Sequence, residues 1–142
     1  MEFISRITAV LLTLILLPLL IAITIGNFLI QGRPIIFRQK RIGKNFKEFI
    51  IYKFRSMKKE SDDLSTFKTG KTPKATQWGR FLRKTKLDEL PQLINVIKGD
   101  MRFIGPRPEV PEFVNEDSFS FLNTIKPGLS GYSSILFRNE SE

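Results

Sequence analysis

The feature that most constrains this chain is an uncharged, apolar run of 24 residues from Ile7 to Ile30. About 20 such residues suffice to cross a bilayer as an α-helix. Arg6 before the run also suits a signal peptide, but the run is too long for one and offers a poor cleavage site. The sequence therefore predicts a segment that stays in a membrane.

Pro18 lies in the middle of this run. Proline has no N–H to donate and its ring clashes with the preceding turn, so we expect a kink there. One interpretation is a bent helix that spans the membrane, and the other is a re-entrant helix with both ends on one face. Basic residues flank both ends of the run, which makes the following side cytoplasmic and leaves the preceding side open.

Positive charge is concentrated directly after the apolar run. Residues 31–86 carry 17 Lys and Arg against 4 Asp and Glu, whereas residues 87–142 carry 5 against 9. A basic block of this kind suits an anionic membrane face, phosphate-bearing substrates or nucleic acid. Charge alone does not choose between these partners.

The chain contains neither Cys nor His. Thiol nucleophiles, imidazole bases and Cys/His zinc sites are therefore excluded, and chemistry must rest on carboxylates, lysines, tyrosines or hydroxyls. Any metal would be a hard cation with oxygen ligands, such as Mg²⁺.

The residues after the apolar run contain patterns of both strands and helices. Two β-rich runs around Gly43-Lys44-Asn45 predict a hairpin, with Lys53 and Arg55 on its open face. Residues 58–75 are polar and indicate a loop, and Thr76 is a suitable cap for a short basic helix over 77–84. The fold class indicated is α+β.

A second helix is predicted between Asp88 and Gly99. An apolar stripe marks it, formed by Leu90, Leu93, Ile94 and Ile97. Further along, Gly105 to Glu109 and Lys126 to Gly131 are typical of rigid loops because they combine proline with glycine.

The adjacent carboxylates Asp88 and Glu89 stand at the start of this second helix. Acidic residues are common there because they satisfy free N–H groups and oppose the positive end of the helix dipole. The same position is expected to lower the pKa of a carboxylate and keep it ionised, which suits a nucleophile or a Mg²⁺ ligand. The residues alone leave both interpretations open.

Arg107 is held between Pro106 and Pro108. Fixed φ angles on both sides suit a guanidinium that binds a phosphate, although a tight surface turn with a solvated arginine also fits. Arg83 lies five residues before Asp88 and suits either the same anion or the membrane surface. Lys53 and Arg55 have the same two interpretations.

Several short motifs occur in a fixed order behind the apolar run: 31–39, 52–57, 83–92, Gly99-Asp100-Met101, Gly105-Pro106-Arg107-Pro108 and Lys126-Pro127-Gly128. In this order they resemble the bacterial sugar transferase family, the monotopic phosphoglycosyl transferases that start glycan assembly on a polyprenyl phosphate. The resemblance covers nearly the whole chain, and its most specific part runs from Leu87 to Pro108.

The resemblance implies a fold and a location. Residues 1–31 would form a re-entrant membrane helix broken at Pro18. Residues 32–142 would form a small, mainly helical catalytic domain with a β-hairpin, on the cytoplasmic face of the bacterial inner membrane.

The resemblance also implies a reaction. Asp88, with Glu89 as the second member of its dyad, would attack the sugar-bearing phosphorus of a UDP-sugar and release UMP. The covalent phosphosugar would then pass to the polyprenyl phosphate, assisted by Mg²⁺ bound through Asp88. Partners would be the UDP-sugar, polyprenyl phosphate and membrane lipids, with no nucleic acid.

The same resemblance assigns residues to the substrate. The phosphate groups would be held by Arg83 and by the loop of Pro106, Arg107 and Pro108. Lys53 and Arg55 are further candidates on the hairpin.

Two departures from the family are visible. Leu17-Pro18 replaces a common Ser-Pro, and the chain stops at Glu142, where relatives usually continue for several tens of residues. We therefore expect the C-terminus to be truncated. Two other interpretations are a membrane-tethered nucleic-acid-binding module, based on the basic block, and a non-catalytic scaffold of the same fold.

Overall fold

The structure is a computed structural model and describes residues 2–57, 75–115 and 118–131. Its main elements, in chain order, are α1 (Glu2–Ile15), α2 (Leu17–Gln31), β1 (Ile36–Ile42), β2 (Glu48–Phe54), α3 (Gln77–Lys84), α4 (Leu93–Lys98), β3 (Arg102–Ile104) and β4 (Gly128–Ser130). Short 3₁₀ helices occupy Lys44–Phe46, Leu87–Gln92, Pro111–Phe113 and Ser120–Asn123. Helices and strands are both present, so the predicted α+β class is confirmed.

The apolar run forms two helices that are separated by Leu16. Pro18 lies in the first turn of α2, where proline is tolerated because the first N–H groups of a helix have no intrahelical partner. Within the described residues no single helix has the length and apolar composition of a membrane span. α1 and α2 pass that test only as a pair, bent by 62°. The break predicted near Pro18 is therefore confirmed.

β1 and β2 form the predicted hairpin as a two-stranded sheet. Its turn is closed by a hydrogen bond of 2.9 Å from the N–H of Gly43 to the carbonyl of Lys47. Asn45 has a φ of 56°, in the left-handed region that asparagine tolerates better than most residues. The Gly-Lys-Asn turn thus sets the hairpin.

α3 has the bounds that the sequence predicts. The side chain of Thr76 accepts a hydrogen bond of 2.9 Å from the N–H of Gly79, as an N-cap should. A Cβ atom at Gly79 would lie 2.7 Å from the carbonyl carbon of Ser56, so glycine allows the helix to pack directly on the chain that leaves β2.

The second predicted helix differs from its expectation. It consists of the 3₁₀ helix Leu87–Gln92 followed by α4, which ends at Gly99 with a φ of 86°. A 3₁₀ helix has 3.0 residues per turn, so the buried face changes where the two meet. Ile94, predicted in the apolar stripe, is consequently 43% exposed, whereas Asn95 and Val96 are buried.

The chain divides into two compact units. The first unit comprises residues 1–15, 38–52 and 92–142, in which α1 packs against α4. β3 and β4 pair in parallel, with Arg102 opposite Gly128 and Ile104 opposite Ser130. The Lys126-Pro127-Gly128 motif, predicted as a loop, therefore leads directly into a strand.

The second unit comprises residues 16–37 and 53–91. Its core is formed by Ile23, Phe54 and Leu82, and six partly buried apolar side chains pack around them: Leu20, Ile35, Ile36, Trp78, Leu87 and Leu90. Trp78 of α3 thus packs against this core. The two leucines of the 3₁₀ helix, Leu87 and Leu90, anchor the segment that carries Asp88 and Glu89.

Both N-terminal helices expose apolar side chains. On α1 the largest exposed fractions belong to Phe3 at 74% and Ile15 at 71%, and on α2 to Leu29 at 74%. Exposed apolar side chains in such number along a helix are typical of contact with lipid or with another protein.

Other expectations are not addressed by the described residues. The predicted loop 58–75 lies outside them except for Ala75, which forms an isolated antiparallel bridge with Met57. The expected C-terminal truncation concerns a continuation after Glu142 and stays a prediction. The division into a membrane segment, 1–31, and a catalytic domain, 32–142, remains a prediction.

Candidate active site

Asp88 and Glu89 lie in the 3₁₀ helix Leu87–Gln92, directly after α3. Lys86, which has a φ of 58°, separates the two helices. Its carbonyl accepts a hydrogen bond of 3.2 Å from the N–H of Glu89, which starts the new turn. Pro91 lacks an N–H group, so a regular α-helix is disfavoured beyond the first turn.

Asp88 is buried, with 8% of its surface exposed. Its Oδ1 atom has no hydrogen-bond partner among the described residues. A buried carboxylate oxygen without a partner is costly and is usually explained by a ligand or a functional role. Asp88 is therefore the strongest candidate for chemistry in this unit.

Burial is the main cause that raises the pKa of Asp88 above its usual value, and the negative charge of Glu89 raises it further. The positive charges of Lys53 and Arg83 act in the opposite direction. The expectation that a helix start lowers this pKa is therefore wrong, because desolvation of the carboxylate outweighs the local favourable interactions.

Glu89 forms an ion pair with Lys53, at 2.9 Å between Oε1 and Nζ. Both side chains are largely shielded, with 25% and 20% exposed, so water and salt screen this pair less than a surface pair. The pair joins the end of β2 to the 3₁₀ helix. Lys53, which the sequence assigned to substrate phosphate, thus contacts the dyad directly.

Arg55 occupies a different position from the one expected. Its side chain is buried rather than on an open face, with 4% of the residue exposed. Nε donates to the carbonyl of Met57 at 3.0 Å, and a terminal nitrogen donates to the carbonyl of Arg33 at 3.2 Å. Arg55 therefore ties main-chain segments together, and its assignment to substrate stays a prediction.

Arg83 is exposed in the last turn of α3 and acts electrostatically on Asp88. The second unit therefore brings Asp88, Glu89, Lys53 and Arg83 into one cluster. The loop of Pro106, Arg107 and Pro108 belongs to the first unit, and its assignment to substrate phosphate stays a prediction.

The loop around Arg107 is fastened to β1. Arg41 donates a hydrogen bond of 3.1 Å to the carbonyl of Pro108, and the N–H of Ile42 donates one of 2.9 Å to the carbonyl of Glu109. Burial lowers the pKa of Arg41, and the charge of Arg107 contributes in the same direction. Arg41 was not among the predicted site residues, since the sequence places it within a basic run.

The residues of the second unit fit one Mg²⁺ ion. Within the described residues there is no group of three Asp or Glu side chains that could hold a metal alone. Mg²⁺ is, however, often bound by one or two carboxylates together with substrate phosphates. The unpartnered Oδ1 of Asp88 is a suitable ligand for such a site.

Two polar residues of α2, Asn27 and Gln31, were also missed. Asn27 is fully buried and both contact the carbonyl of Arg55, two residues after Lys53. The sequence could have indicated both residues, because each is polar and lies at the end of the apolar run.

The raised pKa of Asp88 gives a stability prediction. The folded protein holds this proton more tightly than the unfolded chain, so the free energy of unfolding falls as pH rises from the usual pKa of 3.8 through the raised one. Asp88→Asn removes the free-energy cost of ionising a buried carboxylate, so this variant should be at least as stable as wild type at pH 7. Chemical unfolding in detergent at several pH values measures the effect.

Glu48→Gln is the control for removing one carboxylate, since Glu48 forms an exposed ion pair of 3.0 Å with Lys40. It should leave the acid-range slope of the unfolding free energy close to that of wild type. If Asp88→Asn were less stable than wild type at pH 7, and its unfolding free energy depended on pH as in wild type, the raised pKa of Asp88 would be contradicted.

Comparison with known proteins identifies the family to which this chain belongs. A sequence profile described as "Bacterial sugar transferase" matches residues 2–142. The "UDP-glucose:undecaprenyl-phosphate glucose-1-phosphate transferase" of Escherichia coli strain K12 is 39% identical over 133 residues, covering 89% of this chain and 29% of that protein.

Two further relatives are similar to the chain. The "UDP-N-acetylgalactosamine-undecaprenyl-phosphate N-acetylgalactosaminephosphotransferase" of Aeromonas hydrophila is 38% identical over 84% of this chain and 30% of its own length. The "Undecaprenyl-phosphate galactose phosphotransferase" of Salmonella typhimurium is 38% identical over 78% of this chain and 27% of its own length. The chain thus spans less than a third of these three relatives, and it belongs to the bacterial sugar transferase family.

Proposed function

We propose that this chain transfers a phosphosugar from a UDP-sugar to a membrane polyprenyl phosphate, giving polyprenyl-diphosphate-sugar and UMP. The observation that carries the proposal is the buried carboxylate of Asp88, with an unpartnered oxygen among the described residues and Glu89 held beside it by Lys53. Relatives whose names specify undecaprenyl phosphate and UDP-sugars support the substrate classes. The reaction would be a first membrane step in bacterial glycoconjugate assembly.

The proposed chemistry has two displacements at one phosphorus atom. A carboxylate oxygen of Asp88 attacks the β-phosphorus of the UDP-sugar, the bond from this phosphorus to the bridging oxygen breaks, and UMP leaves with that oxygen. A phosphate oxygen of the polyprenyl phosphate then attacks the same phosphorus. The bond to Asp88 breaks, and the carboxylate is regenerated.

The basic residues near the dyad have an electrostatic role in this proposal. Phosphoryl transfer depends mainly on positioning and on stabilising negative charge. Lys53 and Arg83 supply positive charge near Asp88. Arg107 is proposed to bind a substrate phosphate through its guanidinium. Glu89 is proposed to support the nucleophile, and its ion pair with Lys53 holds it in place.

Mg²⁺ is proposed as the cofactor, held by Asp88 and by substrate phosphates. When bound, the ion would neutralise negative charge on the diphosphate of the donor. The residues themselves orient the donor, provide the nucleophilic oxygen and limit the access of water through burial of Asp88.

We also propose that α1 and α2 form a re-entrant segment rather than a span. The carboxylate of Glu2, at the start of α1, pairs with Arg102 at 3.3 Å and with Lys126 at 3.0 Å. The side chain of Arg6 lies against Gly99, directly after α4. These contacts support a start of α1 on the same membrane face as α4 and β3, which we place on the cytoplasmic face of the inner membrane.

The reaction is tested by UMP release in detergent with undecaprenyl phosphate, Mg²⁺ and a panel of UDP-glucose, UDP-galactose and UDP-N-acetylgalactosamine. Asp88→Asn should abolish UMP release, because an amide cannot replace the nucleophile, while it leaves the protein folded. Glu48→Gln should retain wild-type release. Release that survives Asp88→Asn contradicts the nucleophile. No release from wild type with any donor, together with tight, salt-sensitive DNA binding, would favour a nucleic-acid-binding module instead.

The topology is tested with single cysteines, since the 142 residues of this sequence include none. One variant carries a cysteine in a short Ser/Gly tag before Met1, and the other is Lys47→Cys in the hairpin turn. With a membrane-impermeant maleimide, re-entry predicts that both react in inverted inner-membrane vesicles and neither reacts in spheroplasts. A tag cysteine that reacts only in spheroplasts would establish a spanning helix.

A further inference from the structure

Asn27 is a fully buried polar residue, 0% exposed, within a helix whose other residues are mostly apolar. A buried amide costs free energy unless its donors and acceptor find partners. Such a residue in an apolar helix therefore requires a specific set of hydrogen bonds.

Asn27 has such a set. Its Nδ2 group donates to the carbonyl of Ile35 at 3.3 Å and to the carbonyl of Arg55 at 3.1 Å. Its Oδ1 atom accepts from the indole N–H of Trp78 at 2.8 Å and from Nε2 of Gln31 at 3.0 Å. Two donors and two acceptor positions are all that an amide side chain offers, so Asn27 is satisfied completely.

These bonds converge on the end of β2. The carbonyl of Arg55 also accepts from Nε2 of Gln31 at 2.8 Å, and the N–H of Arg55 donates to the carbonyl of Ile35 at 2.9 Å. The peptide groups on both sides of Arg55 are therefore held, one of them by two side chains from α2. A buried network of this kind fixes a single local geometry.

Lys53 is the last residue but one of β2, and Arg55 directly follows the last residue of the strand, Phe54. Two residues span at most about 7 Å of chain, so the position of Lys53 depends on where the end of the strand is held. The ion pair between Lys53 and Glu89 is 2.9 Å long, and a shift of the strand end of about 1 Å would break this contact. Asn27 is thus linked to the dyad through the end of β2 and Lys53.

We propose that Asn27 is a positioning residue: from helix α2 it holds the end of β2 so that Lys53 meets Glu89 beside Asp88. The inference rests on the proposed function and adds a residue to it. Its consequence is that the seating of α2, the second helix of the apolar segment, sets the geometry of the dyad. Asn27 has no role of its own toward the substrate.

A double-mutant cycle on kcat for UMP release tests the proposal. Asn27→Ala should lower kcat on the order of tenfold, since misplacement by about 1 Å can cost up to a hundredfold. Lys53→Met removes the group through which Asn27 acts, so the double variant should be no slower than Lys53→Met alone. Rate losses that multiply in the double variant would overturn the proposal, because a purely structural residue would act independently of Lys53.

A milder variant keeps the test decisive if Asn27→Ala fails to fold. Gln31→Met removes the second donor to the carbonyl of Arg55, and its loss of kcat should likewise vanish in the Lys53→Met background. Thr24→Val is the matched control in the same helix, because among the described residues the hydroxyl of Thr24 bonds only within α2, to the carbonyl of Leu20 at 2.7 Å. It should leave kcat unchanged in either background.

The outcomes distinguish a failure of the proposed function from a failure of the proposed role of Asn27. Wild-type protein without UMP release counts against the proposed function itself. Wild-type activity with a full effect of Gln31→Met in the Lys53→Met background, or an equal effect of Thr24→Val, counts against Asn27 as a positioning residue alone.

Discussion

The ion pair between Lys53 and Glu89 is the interaction on which the candidate site depends. It links the end of the hairpin to the 3₁₀ helix and compensates one of two adjacent negative charges. Asp88, the other member of the pair of carboxylates, is left buried with an oxygen that has no partner among the described residues. The adjacent acids are thus made unequal: Glu89 is engaged within the protein, and Asp88 is available to a ligand.

Much of the framework follows from local sequence signals. Thr76 and the basic end of α3 define that helix because capping and the helix dipole act over a few residues. The turn at Gly43 to Asn45 defines the hairpin because turn geometry is also set by a few neighbouring residues. Pro18 marks the break in the apolar run. Asp88 and Glu89 were visible in the sequence as adjacent acids at a predicted helix start, and their role as a dyad was implied by the resemblance to the bacterial sugar transferase family.

Features set by contacts between distant segments were not predictable. The 3₁₀ helix at Leu87–Gln92 changes the phase of the apolar stripe, and the periodicity of 3.6 residues could not show it. Burial of Arg55 and the desolvation that raises the pKa of Asp88 depend on how segments distant in the sequence pack together. The role of Asn27 depends on carbonyl groups at Ile35 and Arg55, and a sequence pattern gives no position for those.

The central claim is that Asp88 carries the phosphosugar between donor and acceptor. The most direct test is mass spectrometry of the protein after reaction with UDP-sugar and Mg²⁺ in the absence of polyprenyl phosphate, followed by peptide mapping. The account predicts a gain of one phosphosugar on the peptide that contains Asp88, and loss of that gain when polyprenyl phosphate is added. An adduct on another residue, or stoichiometric UMP release without any adduct, would contradict it.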